Sequence, residues 1–147
     1  METHPRRVLV VDDDADMREC MTLLLNMDGH LVASVATGYD ALTYLAYMTE
    51  PPALLLLDLE LGDMTGEDVV AALRQRDDWS AIPVVLVSAS RRLAQVAQKL
   101  GVASYLAKPF DPTALQAVVK QHVGLVPASL QPFERVARGY ERGQDGR

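Results

Sequence analysis

The sequence predicts an α/β fold: a doubly wound, five-stranded parallel sheet with helices on both faces. Three observations carry that prediction. Short aliphatic runs alternate with helical patterns almost without interruption as far as Val123. The runs are apolar throughout, rather than polar at every second place, as strands covered on both faces require. All but one of them end in a strongly polar residue, and in open α/β sheets ligands bind outside the carboxyl ends of the strands.

Taken in order, the first strand is Val8–Val11, and it ends in Asp12, Asp13 and Asp14. Asp14 suits the N-cap of the helix that follows, where its carboxylate takes up free backbone N–H groups. In that helix Met17, Cys20, Met21 and Leu24 recur at i, i+3, i+4 and i+7, an amphipathic stripe that assigns Cys20 to the core. The second strand, Leu31–Val35, has no polar residue at its end and is expected at the edge of the sheet. Ala41, Leu42, Leu45 and Ala46 mark the second helix. Ala53–Leu57 is the third strand and ends in Asp58; Val69, Val70 and Leu73 mark the third helix. Val84–Val87 ends in Ser88, and Leu93, Val96, Ala97 and Leu100 mark the fourth helix. Ser104–Ala107 ends in Lys108-Pro109. The last helix opens at Asp111-Pro112, with Asp as N-cap and Pro at the first helical position, and runs to about Val123.

The chain is expected to hold one domain, residues 6–123, followed by a separate tail, residues 124–147. In the tail Phe133, Val136, Ala137 and Tyr140 fall at helical spacing, so Pro132–Glu141 is expected as a short amphipathic helix that docks on a surface. The tail carries a net charge of +1, which leaves −7 on the preceding part. With 49% hydrophobic and 23% charged residues, the 147-residue chain has ordinary globular composition. A formal net charge of −6 argues against a broad footprint for nucleic acid or anionic membrane. No aliphatic run approaches the ~20 residues that span a bilayer, and METHPRR lacks a signal peptide's apolar core. Cys20 is the only cysteine, so no internal disulfide forms and a cytoplasmic location is expected.

Singly, the polar residues at the strand ends have plain roles: Asp58 a turn residue, Ser88 a satisfied hydroxyl, Lys108 a surface charge. Together they imply chemistry. Asp12, Asp13 and Asp58 crowd one rim, and two unit charges ~4 Å apart repel by ~4 kcal/mol at an effective dielectric near 20. A fold tolerates that with raised pKa values or a cation. Oxygen ligands without His or Cys suit Mg²⁺ or Mn²⁺, and His4, His30 and His122 have no metal-ligand spacing. A divalent cation beside a carboxylate, a lysine and a hydroxyl suits phosphoryl transfer with a carboxylate nucleophile.

VLVVDDD, LLLLDLELGDMTG, PVVLVSAS and GVASYLAKPFDP stand in an order and spacing that resembles the receiver domain of two-component response regulators, over roughly Arg6–Val123. The resemblance implies a flavodoxin-like strand order 2-1-3-4-5. It implies that Asp58 accepts a phosphoryl group from a sensor histidine kinase or phosphotransfer protein. Asp13 and Asp58 would bind Mg²⁺ directly, Asp12 would hold it through water, and the backbone carbonyl of Glu60 would complete the protein ligands. Lys108 would pair with one phosphoryl oxygen and Ser88 with another, beside the small Ala89. Tyr105 would be the aromatic switch, turning inward as Ser88 moves. Partners implied are the kinase, a downstream target protein and, on phosphorylation, a second copy of the chain. Two residues depart from the family's pattern: Glu60, whose acid would meet the attacking water, and Gly62, which stands where Pro is usual and should loosen the loop.

Two other functions fit parts of the pattern. A haloacid-dehalogenase-type phosphohydrolase also uses Asp, Ser/Thr, Lys and Mg²⁺, but its nucleophile lies on the first strand, and Asp12–Asp16 lacks its final Thr or Val. A receiver-like scaffold would bind partners without phosphorylation. No DNA-binding domain follows Val123, so the output is expected through protein contacts.

Overall fold

The computed structural model describes residues 7–123. Five strands alternate with five helices: β1 Val8–Val11, α1 Ala15–Met27, β2 Val32–Val35, α2 Gly38–Tyr47, β3 Leu54–Leu57, α3 Gly66–Arg74, β4 Val84–Ser88, α4 Leu93–Leu100, β5 Ser104–Ala107 and α5 Pro112–Val123. The strands form one parallel sheet in the order β2-β1-β3-β4-β5. The order reverses at β1, which pairs with β2 on one side and β3 on the other, so the rim beside β1 and β3 is the switch point.

The strand residues alternate between two cores, as the period of two dictates. Leu9, Val11, Leu55 and Leu57 pack with Ala41 and Leu45 of α2, with Val69, Val70 and Leu73 of α3, and with Leu93 and Val96 of α4. Val8, Val10, Leu54 and Leu56 face the other way, against Met21 and Leu25 of α1 and Leu115 and Val119 of α5. β1, β3 and β4 are buried at every residue. At that burial each large side chain contributes roughly 1.5–3 kcal/mol.

The helix starts follow from their caps. The Asp14 carboxylate accepts from the N–H groups of Asp16 (2.9 Å) and Met17 (3.2 Å), as expected. Thr65 and Asp68 form a reciprocal capping box at α3. Asp111 accepts from Thr113 N–H at 2.9 Å, and Pro112 is the first residue of α5.

The structure corrects three expectations. Leu31 and Ala53 lie just outside β2 and β3, while Ser88 belongs to β4. β2 and β5 are not apolar throughout: β2 is half-exposed and β5 alternates, because each has a neighbour on one side only. Cys20 is exposed. The buried stripe of α1 runs through Met21 and Leu25, and Cys20 stands off its edge. Gly62 has a φ of +82°, a conformation closed to proline. The expected helix at Pro132–Glu141 and the tail, residues 124–147, lie outside the described residues.

Candidate functional site

Asp12 is the first residue beyond β1 and Asp58 the first beyond β3. Val11 and Leu57 are partners in the sheet, so the two aspartates emerge side by side. Their backbones are pinned: Asp12 N–H donates to the Val35 carbonyl at 3.2 Å, and Asp58 N–H to the Val11 carbonyl at 3.0 Å. Both are buried, at 2% and 7% exposure. Lys108 arrives from the end of β5, its N–H bonded to the Ser88 carbonyl at 2.9 Å. Its ammonium donates to Asp12 Oδ2 at 2.5 Å and to Asp58 Oδ2 at 2.8 Å. Burial works against that charge, but the hydrogen bonds and the pull of both aspartates outweigh it and raise the lysine above its ordinary value.

The crowding anticipated between carboxylates is therefore real, and in this structure an internal cation relieves much of it. The remaining oxygens are engaged or open. Asp12 Oδ1 accepts from Asp14 N–H at 2.9 Å, and Asp58 Oδ1 from Glu60 N–H at 3.2 Å. Asp13 is exposed, and one carboxylate oxygen from each of Asp12, Asp13 and Asp58 lies within 4.8 Å of the others. Three hard oxygen donors at that spacing, with no His or Cys among them, fit Mg²⁺ or Mn²⁺.

The other expected residues lie on β4, on β5 and in the loop after β3. Ser88 is buried, and its hydroxyl oxygen accepts from Ser90 N–H at 3.2 Å. Tyr105 is 48% exposed on β5 and lines a groove of about 700 Å³ with Ala94, Gln95 and Gln98 of α4, so it is not a core residue here. Glu60 is exposed and paired with Thr65 in an antiparallel bridge. Two residues escaped sequence reasoning. Arg18 donates to the Asp12 carbonyl at 2.7 Å, steadying the acidic turn from α1. Asp63 accepts from Gly38 and Tyr39 of α2. Neither carries a sequence signal, since both read as ordinary surface charges.

The sequence matches the response regulator receiver domain family over residues 8–120. The chain belongs to that family. A similar relative is the DNA-binding response regulator MtrA of Mycobacterium tuberculosis, 38% identical over 122 residues, covering 82% of this chain and 51% of MtrA. The chain thus spans about half the length of the curated relatives it matches. Among solved structures it resembles chemotaxis response regulator CheY4 of Vibrio cholerae, with 25% identity and a TM-score of 0.72, covering 81% of this chain and 98% of that one. The Mn²⁺-bound form of response regulator Rcp1 is equally similar, with 25% identity and a TM-score of 0.72, covering 84% and 98%.

As a receiver, the protein is a component of two-component signal transduction, and that family membership sets the phosphohydrolase reading aside. DNA binding is what MtrA's name says of MtrA. Among the described residues, no helix is long and apolar enough to cross a membrane.

Proposed function

We propose that this receiver accepts a phosphoryl group on Asp58, with Mg²⁺ or Mn²⁺ at Asp12, Asp13 and Asp58, and uses it to switch protein contacts. The carrying observation is the arrangement of Lys108 across Asp12 and Asp58, within one oxygen cluster that includes Asp13. The manganese-bound state of Rcp1 supports the cation by likeness. When bound, the cation supplies charge neutralisation at the phosphoryl oxygens.

The chain's own residues divide the work. An Asp58 oxygen forms the new P–O bond as the P–N bond of a donor phosphohistidine breaks, and the electron pair returns to the imidazole nitrogen, which takes up a proton. Lys108 stays charged and follows the negative charge onto a phosphoryl oxygen. The Ser88 hydroxyl, whose oxygen now accepts from Ser90, donates a hydrogen bond to another. Tyr105 then turns from its exposed position toward the space beside Ser88. The Glu60 carbonyl would complete the protein ligands of the cation, and its acid would meet the water that attacks phosphorus, releasing phosphate and restoring Asp58. The receiver thus promotes its own phosphorylation and dephosphorylation without being an enzyme for another substrate. Its partners in this reading are a histidine kinase or phosphotransfer protein in the cytoplasm, a target protein and a second phosphorylated copy. The domain runs over residues 6–123, and output through protein contacts rather than nucleic acid is part of the proposal.

Phosphoramidate or acetyl phosphate with Mg²⁺ tests it. One acid-labile phosphoryl group should appear on Asp58 by mass spectrometry, and Asp58→Asn should gain none. Modification elsewhere, or none at all, supports the scaffold reading instead.

A further inference from the structure

The loop that connects the acceptor strand β3 to α3, residues 58–65, fastens mostly to itself. Glu60 bridges to Thr65, and Gly66 N–H donates to the Leu59 carbonyl at 2.9 Å. Gly66 has no room for a side chain: a Cβ would lie 2.6 Å from the Asp58 carbonyl oxygen. The tip of the loop differs. Gly62 adopts a positive φ that restrains the backbone little, and the next residue crosses to another element. Asp63 Oδ1 accepts from Gly38 N–H at 3.0 Å and Oδ2 from Tyr39 N–H at 2.9 Å. These are the first two amides of α2, and the third, on Asp40, goes to Thr37. The carboxylate therefore sits on the positive end of a helix dipole. The N–H groups of Tyr39 and Gly38 hold its carboxyl below the ordinary range. Met64 packs so closely on Gly38 that a Cβ there would have to displace it. α2 in turn begins beside the acidic rim, because the last residue of β2, Val35, accepts from Asp12 N–H.

We propose that Asp63 is a positioning residue for the acceptor site: by tying the loop tip to the amino end of α2 it fixes Glu60, and so sets divalent-cation affinity and phosphoryl lifetime. The proposal rests on the phosphoacceptor reading above. Glu60 stands at the base of the loop, opposite Thr65, and the chain runs from it through Gly62 to the Asp63 tie. The Glu60 N–H donates to Asp58 Oδ1, and in the phosphoacceptor reading the Glu60 carbonyl would be the remaining protein ligand and its acid would meet the water. Freed at Asp63, the tip pivots at Gly62, and Glu60 samples orientations that no longer converge on the cation.

The test compares the full chain with Asp63→Asn and Asp63→Ala, using Mg²⁺ titration followed by the amide resonances of Asp13 and Glu60. Asp78→Ala controls for loss of a surface charge elsewhere. Asp63→Ala should weaken Mg²⁺ binding roughly three- to tenfold, below the 10–100-fold typical of groups bonded directly to metal ligands. Asp63→Asn keeps one acceptor oxygen and should fall between. After loading with phosphoramidate, phosphoryl half-life should lengthen in the same rank order, because the cation and the Glu60 acid both serve the hydrolysis. A lowered melting temperature with unchanged affinity and half-life would make Asp63 a helix cap only and overturn the proposal, as would equal weakening in Asp78→Ala. If the wild type binds Mg²⁺ but takes no phosphoryl group, the phosphoacceptor reading fails while the affinity comparison still decides Asp63. If the wild type binds no Mg²⁺ at this cluster, both fail.

Discussion

Replacing Lys108 with methionine keeps most of the side chain's length and removes its charge. Without metal, Asp12 and Asp58 then face each other while buried, with carboxylate oxygens within 4.8 Å. Two unit charges at that distance repel by about 3.5 kcal/mol at an effective dielectric near 20. Removing one partner of a buried pair costs about 3–5 kcal/mol in mutational experience. The Lys108 side chain is itself 13% exposed, so solvent screens part of the effect and the lower end applies. Lys108→Met should lose about 3 kcal/mol in chelator-treated buffer near neutral pH, a fall of roughly 10 °C in melting temperature. Mg²⁺ should restore most of it, with a larger gain and a lower half-saturating concentration than in the wild type, because the ammonium no longer competes for Asp12 and Asp58. Urea unfolding with and without Mg²⁺ measures both effects. Lys108→Arg keeps the charge and should stay near the wild type without metal. Asp13→Ala, which leaves the lysine's two partners intact, should remove most of the Mg²⁺ response. Equal metal-free stability of Lys108→Met and wild type, or a magnesium gain no larger than the wild type's, would refute the idea that the lysine is the site's resident counter-charge.

Two further outcomes are expected. His30 is buried at the turn after α1 with Nε2 unpartnered, and burial lowers its pKa, with Asp28 raising it and Lys120 lowering it. The unfolded chain takes up this proton near pH 6.5 and the folded chain only below that, so stability present above about 6.5 is lost as pH falls. His30→Leu should flatten the slope of stability between about pH 7 and pH 5 in urea unfolding, and an unchanged slope would exonerate His30. On phosphorylation, amide exchange should change at Arg91–Leu100, at Tyr105 and along Asp111–Val123; changes confined to other faces would contradict transmission through Ser88 and Tyr105.

The sheet was legible because strands buried on both faces, β1, β3 and β4, write themselves as unbroken aliphatic runs, and Asp12, Asp58 and Ser88 mark where those three runs stop. The site followed from the same logic, since parallel strands deliver all their carboxyl ends to one rim. What escaped is whatever depends on contacts across elements. Helical periodicity put Cys20 on the apolar stripe of α1, but the width of that stripe is set by α5 and β1 packing against it, and Cys20 falls outside. The alternating exposure of β5 follows from its having β4 alone as neighbour, a fact about the sheet rather than about SYLA. Asp63 looks like any loop aspartate until α2, distant in sequence, supplies the two amides it holds.

The charges at the rim also explain how one covalent change could move side chains beyond it. Three aspartates face one lysine, so the cluster is short of positive charge by two, which is what a divalent cation would supply. Phosphorylation of Asp58 would replace a singly charged carboxylate with a phosphoryl group of about −1.5 to −2, so the cation and the phosphoryl group must favour one another's binding by the same factor. The transfer would also shift the negative charge outward from the oxygen that Lys108 now holds at 2.8 Å. Keeping Asp12 at 2.5 Å while following that charge requires the lysine to reposition. Its backbone N–H is bonded to the Ser88 carbonyl, and Ser88 in turn has its hydroxyl tied to Ser90 at the start of the loop into α4. Lys108 is thus joined to the acid pair by its side chain and to β4 by its backbone. A pull at the first is felt at the second, next to the groove where Tyr105 lies half-exposed against α4. A rigid side chain at position 108 that kept the charge without the reach would bind the cation as before and leave Tyr105 where it is.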